Sequence, residues 1–520
     1  MTGATAASPE RNEPKDDDVD QIRGNDAMWL HLEAAGESMH MTLACIYEPG
    51  GLPALSAEEL TTHLACRVVS AFATFRRRLK VVPFNIDHPY WVDDPDFDIA
   101  QHIRQRKVPS PGDRNALFST MLDVHAEPMR RSSPLWDVTL VRGLNTVDGL
   151  PPHSFAVLFR FHHVMVDGQS VMEIMHLIHD SSPATPGLDV HTPIAFVAAP
   201  PSVLAMVWQA GVNAVVYPAK NVVRVASPLL SVVHRAAMTA VTAPASAFAW
   251  VAGRLVATVS GLLNGAGPTL LPAGAPRTRF NNRVNADRRI GLVEFDLDAL
   301  RAMRQLAPGS TINDVALTVI GGALRCHLDT LGELPPDSLV AACPISTRQD
   351  APGAGSLGNQ ASAMFVPLFT NIADPVERLK AISAATEKAK GSEYSARAKR
   401  LTDIMYNTTA LGSAAAGRLA LLLAHRAPAF NTIVTNVPGP KEPIYLLGRP
   451  LRAMQPVLML IDGMGLSHVV TSANGKLMIA FVTIAGALPD PTVYEDELRE
   501  VARELDERAQ VNDGRADQCG

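Results

Sequence analysis

Apolar positions recur with period two in short runs and with period near 3.6 in longer ones, and the two patterns alternate along most of the chain. Residues 39–47, 136–141 and 154–161 read as strands. Residues 56–79 read as a helix, opened by Ser56 and Glu59 at the spacing of a capping box. A second amphipathic helix covers 115–129. Asp167-Gly168 then breaks the chain, and 169–179 is helical. Beyond Arg288 the same style resumes. Strands are predicted over 290–295, 339–345, 361–368, 429–436, 465–471 and 476–484. Helices are predicted over 297–305, 311–331, 375–390, 397–425 and 493–510. Ala473-Asn474-Gly475-Lys476 is a hairpin turn by its chemistry. The shared β/α style of the two stretches predicts an α/β (α+β) protein with two related domains.

Between them lies a different region. Uncharged runs cover 200–219, 236–253 and 255–276, each near the roughly 20 residues that span a bilayer. They carry Gln209, Asn213, Pro218, Pro244, Asn264 and Pro268, which favours helices packed on a core or lying on a membrane surface over spanning ones. From Val190 to Val284 there is no Asp or Glu, while seven Lys and Arg occur there. An acid-free basic stretch inside a chain of net charge −6 sets this region apart. The expected organisation is a disordered tail over 1–26, one domain over 27–185, a helical crossover over 186–285, a second domain over 286–512 and a tail over 513–520. A chain of 520 residues exceeds the roughly 250–300 that one core supports.

Charge and cysteine usage exclude some functions. A pI near 6.2 argues against nucleic-acid binding. The five cysteines are odd in number and form no C-x-x-C pair, which argues against a disulfide framework or a zinc site. They fit a reducing compartment, and the N-terminus lacks the basic and apolar regions of a signal peptide, so a cytoplasmic location is expected.

The candidate chemistry sits in Phe161-His162-His163-Val164-Met165-Val166-Asp167-Gly168. A histidine at the end of an apolar strand can accept a proton on one ring nitrogen while the other donates to an orienting group. His163 is the candidate general base, a role typically worth about 10²–10⁴ in rate. His162 is expected on the opposite face, and Asp167 beside Gly168 either takes part or braces the turn. No G-x-S-x-G elbow offers a serine nucleophile. Gly353-Ala354-Gly355-Ser356-Leu357-Gly358 fits G-x-G-x-x-G, but it leads from a loop toward a strand, the wrong context for a dinucleotide.

His162-His163-Val164-Met165-Val166-Asp167-Gly168 resembles the HHxxxDG motif of the bacterial wax ester synthase/diacylglycerol acyltransferase family, itself similar to CoA-dependent acyltransferases. Pro134-Leu135-Trp136 resembles that family's PLW element and Asn313-Asp314 its ND element. Pro344-Ile345-Ser346-Thr347-Arg348 and Gly358-Asn359-Gln360 follow in order. Thr435-Asn436-Val437-Pro438-Gly439-Pro440 resembles its SNVPGP segment, with Thr for Ser. The matches run from Trp29 to about Asp490.

The resemblance implies two chloramphenicol-acetyltransferase-like domains, each a mixed sheet with helices, and a tunnel at their interface with the catalytic histidine midway. It implies direct transfer of an acyl group from acyl-CoA to diacylglycerol or a long-chain fatty alcohol. No acyl-enzyme and no cofactor beyond acyl-CoA as co-substrate is implied. Asn313 is either an oxyanion donor or a helix N-cap. Asp314, Pro134, Leu135, Trp136 and Asn436 are candidate substrate contacts with equally plain packing or turn readings. Arg348 either pairs with Asp167 or is solvated. Partners expected are acyl-CoA, the acceptor lipid, a membrane or lipid-droplet surface, and a second copy in a homodimer. A carrier-protein-dependent condensation enzyme and a non-catalytic lipid-binding scaffold are the alternatives.

Overall fold

Two runs of eight consecutive buried residues, β1 (His40–Tyr47) and β6 (Phe155–His162), pair antiparallel, with His40 opposite His162 and Tyr47 opposite Phe155. Strands buried on both faces need cover on both, and they obtain it. The computed structural model describes residues 20–33, 38–184, 200–240, 274–346, 361–390, 405–424, 426 and 428–516. Around β1 and β6 the first sheet adds β4 (Ile103–Lys107), β5 (Trp136–Arg142), β11 (Tyr445–Leu446) and β12 (Arg449–Val457), in the order β11-β12-β1-β6-β5-β4. The second sheet has the order β7-β14-β13-β10-β8-β9, from β7 (Arg288–Asp296), β8 (Val340–Ser346), β9 (Ala361–Pro367), β10 (Thr432–Val437), β13 (Leu466–Ala473) and β14 (Lys476–Ile484). A separate hairpin joins β2 (Arg77–Lys80) to β3 (Tyr90–Asp93).

The helices in chain order are α1 (Gly24–Leu32), α2 (Ala57–Leu64), α3 (Arg114–Ala126), α4 (Gly168–Ile178), α5 (Val203–Ala240), α6 (Leu297–Arg304), α7 (Ile312–Thr330), α8 (Pro375–Lys390), α9 (Ala410–Ala424) and α10 (Pro491–Ala516). One face of the first sheet packs under α2 and α4, through Leu60, Leu64, Ile174 and Ile178. Its other face shares a continuous core with the second sheet, and Leu117, Met121 and Val124 of α3 lie in that shared core. Arg114 at the start of α3 binds Glu495 of α10 and donates to the Leu292 carbonyl of β7 (2.9 Å). In the middle of α7, Gly321 lies against the residue that follows β9, where a Cβ would sit 2.7 Å from the Leu368 carbonyl oxygen.

Several expectations change. The predicted 56–79 helix stops at Leu64, passes through a wide turn over Ala65–Val69, and ends as strand β2. Ser56 and Glu59 do form the capping box. The predicted Asn-Gly turn is present, with φ of 50° at Asn474 and 75° at Gly475. The expected tail over 1–26 is corrected at its end, because Ile22 is buried and α1 begins at Gly24, while residues 1–19 lie outside the described residues. At the other end α10 continues to Ala516. The boundary at 286 does not separate the sheets, since β11 and β12 return from the C-terminal half to complete the first one. The first uncharged run begins a single helix, α5. The G-x-G-x-x-G stretch, Arg348 and most of 236–276 lie outside the described residues.

One buried ion pair ties this framework together. Arg160 on β6 is fully buried, and its Nε donates to Asp137 Oδ1 on β5 (2.9 Å). Its Nη1 donates to the Glu127 carbonyl (2.6 Å) and to that of Val124, at the end of α3. Removing the carboxylate would leave a buried cation without its counter-charge, a change that costs about 3–5 kcal/mol. Asp137→Ala is therefore expected to lower the unfolding free energy by that order, read as a lower denaturant midpoint at unchanged slope. A midpoint within error of wild type would contradict it.

Candidate active site

The chain reaches the site along β6. His162 is its last residue, and His163 is the first beyond it, held by a hydrogen bond from its N–H to the Met39 carbonyl (2.9 Å) just before β1. The His162 N–H donates to the Leu135 carbonyl (3.0 Å) from the other side. The doublet is thus pinned by both neighbouring segments. Leu135 is one of the three residues of the Pro134-Leu135-Trp136 element.

His162 is committed to the fold. Its Nδ1 accepts from the Val164 N–H (3.0 Å), which leaves the proton on Nε2, 3.8 Å from Glu33 Oε1. Burial works against charge on Glu33, but His162 and Arg131 outweigh it and hold the carboxyl down at about 2.

The His163 ring nitrogens are enclosed, although part of the residue's surface is open. The Trp29 indole stacks on the ring, with centroids 4.5 Å apart and planes 20° from parallel. Met28, Trp29 and Ile461 pack against a small apolar group of Leu32, Met39 and Met459. Burial, with smaller contributions from His162 and His40, pushes the imidazole down to about 3. His163 is therefore neutral at ordinary pH and able to accept a proton.

Asp167 is the N-cap of α4. Its Oδ1 accepts from the Ser170 N–H (2.8 Å) and hydroxyl (2.9 Å). Gly168 opens the helix, and a Cβ there would meet Val437 Cγ2 at 3.6 Å. The motif therefore abuts the segment Thr435-Asn436-Val437-Pro438-Gly439-Pro440 at the end of β10. Gly439 passes so close to β13 that a Cβ would overlap the Ser472 carbonyl oxygen.

Asn436 is exposed, and its Nδ2 donates to Asn313 Oδ1 on α7 (3.2 Å). The N-cap of α7 is Thr311, which excludes the capping reading of Asn313. Asp314 closes the capping box. Its Oδ2 accepts from the Thr311 N–H (2.7 Å) and hydroxyl (2.9 Å), and its Oδ1 from the Thr386 hydroxyl (2.8 Å). Both oxygens are occupied and the residue is buried, so the expectation of Asp314 as a substrate contact is corrected to a helix-start role.

Pro134-Leu135-Trp136 packs rather than projects. Trp136 Nε1 donates to the Phe75 carbonyl (2.8 Å), and the ring stacks on His102 at 4.5 Å. Pro134 and Trp136 also border a cavity of about 480 Å³ shared with His102, Arg104 and Asp137. The structure thus brings Gly168 against Val437 across the seam between halves and Asn313 against Asn436 within the C-terminal half, while His163 lies on Trp29. Sequence reasoning missed Trp29 and Glu33, which lie some 130 residues before His163 with no spacing rule to link them.

The chain matches the wax ester synthase/diacylglycerol acyltransferase catalytic domain over residues 22–316 and the C-terminal domain of the same family over residues 357–506. A Mycobacterium tuberculosis protein, provisionally named a diacylglycerol O-acyltransferase, is 29% identical over 503 residues, covering 94% of this chain and 90% of that one. The O-acyltransferase WSD of Acinetobacter baylyi is 27% identical over 497 residues, covering 94% and 96%. The solved wax ester synthase/diacylglycerol acyltransferase of Marinobacter aquaeolei VT8 shares the fold with a TM-score of 0.62 and 24% identity, covering 94% of this chain and 100% of that one.

Burial makes the site pH-sensitive. The folded pKa of His163 lies below its unfolded value, so the unfolded chain binds more protons between about pH 6.5 and pH 3. Stability contributed by the neutral ring is complete above that window and is lost as pH falls through it. His163→Gln should consequently lose less stability than wild type between pH 6.5 and 5, by about 2 kcal/mol at 1.36 kcal/mol per pH unit. Calorimetric melting at the two pH values reads this, and equal losses in both proteins would refute it.

Proposed function

The chain belongs to the wax ester synthase/diacylglycerol acyltransferase family, and from that premise we propose that it transfers a long-chain acyl group from acyl-CoA to the hydroxyl of diacylglycerol or a long-chain fatty alcohol. The observation that carries the reading is the neutral His163 ring, enclosed among apolar side chains where two halves of the chain meet. His163 takes the proton of the acceptor hydroxyl. The hydroxyl oxygen bonds to the thioester carbonyl carbon, the carbon–sulfur bond breaks, and the imidazolium returns its proton to the departing thiolate. The products are an ester and free CoA. No resident cofactor enters this scheme.

The carbonyl oxygen gains charge during the attack and needs a donor set in advance. Asn436 occupies the Oδ1 end of the Asn313 amide, which supports the use of its Nδ2 for that oxygen. The passage expected between the halves would be bordered by the Gly168–Val437 and Asn313–Asn436 contacts.

The acceptor lipid resides in membranes or droplets, and α5 suits such a surface. Met206, Ala210, Asn213 and Tyr217 form its buried face, with Met206 against Val82, Tyr90 and Val92 and Asn213 donating to Asp87 (2.7 Å). The outward face exposes Leu204 (83%), Trp208 (76%) and Val215 (71%), and neighbouring Phe84 is 94% exposed. The acid-free composition of 190–284 favours anionic headgroups at about 1 kcal/mol per basic residue. No helix among the described residues is long and apolar enough to cross a membrane.

Two measurements test this reading. With palmitoyl-CoA and either dioleoylglycerol or hexadecanol, His163→Ala should lose about 10²–10⁴ of kcat. Unchanged kcat would remove His163 as the base, and an inert wild type would favour the scaffold reading. Wild type should sediment with vesicles containing anionic lipid, less so at high salt, while Trp208→Glu with Leu204→Glu should release it. Equal sedimentation of both proteins would contradict the assigned face.

A further inference from the structure

His163 is backed by the ring of Trp29, the residue at which the resembling stretch begins and to which no motif reading gave a role. We propose that Trp29 is a positioning residue for the acyl transfer: its indole face fixes the plane of the His163 imidazole and stabilises the cation formed when that ring takes the hydroxyl proton. The inference rests on the reading of His163 as the base.

Three observations carry it. First, the two rings are parallel to within 20° at 4.5 Å, inside the roughly 6 Å range over which a cation is attracted to an indole face. Second, Trp29 is held from elsewhere. Its helix, α1, begins at Gly24, where a Cβ would fall 2.2 Å from the Met405 carbonyl oxygen, so the helix lies directly on that turn. At its other end Leu32 reaches to within 3.5 Å of the Cβ position at Gly417 on α9. Helix α1, seated on the 405–424 segment, thus delivers the indole to the histidine that follows β6. Third, the enclosure of the imidazole makes a stabilising face useful, because both ring nitrogens are shut away from solvent and burial is what chiefly opposes a positive charge there. The neighbouring rings of His162 on β6 and His40 on β1 supply no counter-charge to it. Glu33, after α1, lies beside His162 at 3.8 Å. A leucine would keep an apolar side chain, though a smaller one, in the group formed with Met39 and Met459. It would offer neither a plane to stack on nor a quadrupole to meet a cation.

A double-mutant cycle separates this role from packing. Kcat and KM are measured for wild type, Trp29→Leu, Trp29→Phe, His163→Ala and the Trp29→Leu/His163→Ala pair, with palmitoyl-CoA and hexadecanol. Trp29→Leu should lower kcat about tenfold while KM for both substrates stays within about twofold. Trp29→Phe, which keeps an aromatic face, should retain most of kcat. In the His163→Ala background, Trp29→Leu should change the residual rate by less than about twofold. The inference is overturned if Trp29→Leu leaves kcat unchanged, if Trp29→Phe is as impaired as Trp29→Leu, or if the loss is the same in both backgrounds. Should Trp29→Leu show no melting transition, Trp29→Met takes its place in the same cycle. An undiminished kcat in His163→Ala alone would instead remove the reading of His163 as the base.

Discussion

The pairing of β1 with β6 is the constraint on which the rest depends. It joins segments more than 100 residues apart, and its last step is the hydrogen bond from His163 N–H to the Met39 carbonyl. Every other feature of the site is placed relative to that bond. The Leu135 carbonyl pins His162 from the β5 side. Asp167 starts α4 four residues after His163 and directs the chain away, which brings Gly168 against Val437. Arg160, two residues before the doublet, anchors the strand to Asp137 and to the end of α3. The histidine is positioned by main-chain bonds and a buried ion pair, so its geometry does not rely on flexible surface contacts.

Much of this was legible in the chain, and the exceptions have physical causes. β1 and β6 are continuous apolar runs, and the Ser56 capping box and the Asn474-Gly475 turn are local chemistry. β12 was missed because Arg449-Pro450-Leu451-Arg452-Ala453-Met454-Gln455-Pro456-Val457 carries two prolines and two arginines. Its strand character comes from β1, some 400 residues earlier, and not from its own pattern. β4 is similarly basic, with Arg104, Arg106 and Lys107, and gains its place by parallel pairing with β5. The predicted helix over 56–79 merged a helix with a strand because Arg77–Lys80 is short and finds its partner only at Tyr90–Asp93. At the site, the motifs named His163, Asn313 and Asn436, but adjacent motif letters proved unequal. Asn313 faces Asn436, whereas Asp314 is consumed by Thr311 and Thr386. Trp29 was invisible because a ring stack has no sequence spacing.

Several buried histidines surround the same strands, and they impose one electrostatic rule. His40 is pushed down to about 4 by burial and the nearby Arg160, and His125 well below its ordinary value by burial and His40. They donate and accept as neutral rings: His40 Nε2 meets the His125 carbonyl, and Thr42 Oγ1 meets His125 Nδ1 at 2.9 Å. Glu33, a carboxylate held down at about 2, lies beside His162 at 3.8 Å. The interior of the first sheet therefore tolerates hydrogen-bonded neutral imidazoles and resists imidazolium.

That rule sets the energetic problem of the proposed transfer. A ring held near 3 is always ready to receive a proton, yet moving it from 6.5 to about 3 disfavours the charged form by about 5 kcal/mol. A stacked indole returns about 0.5–2 kcal/mol of this, which is a useful part but not the whole. The larger compensation has to come from the reaction itself. In the proposed transfer the proton leaves an alcohol as its oxygen gains negative charge, so the imidazolium would appear beside an anion and never alone. In an apolar enclosure the attraction between two such charges is several-fold stronger than in water. The same burial that penalises an isolated cation thus rewards the ion pair of the transition state. Water entering the pocket would weaken that pair, which makes the apolar packing of Trp29, Met39 and Met459 part of the chemistry as much as of the fold.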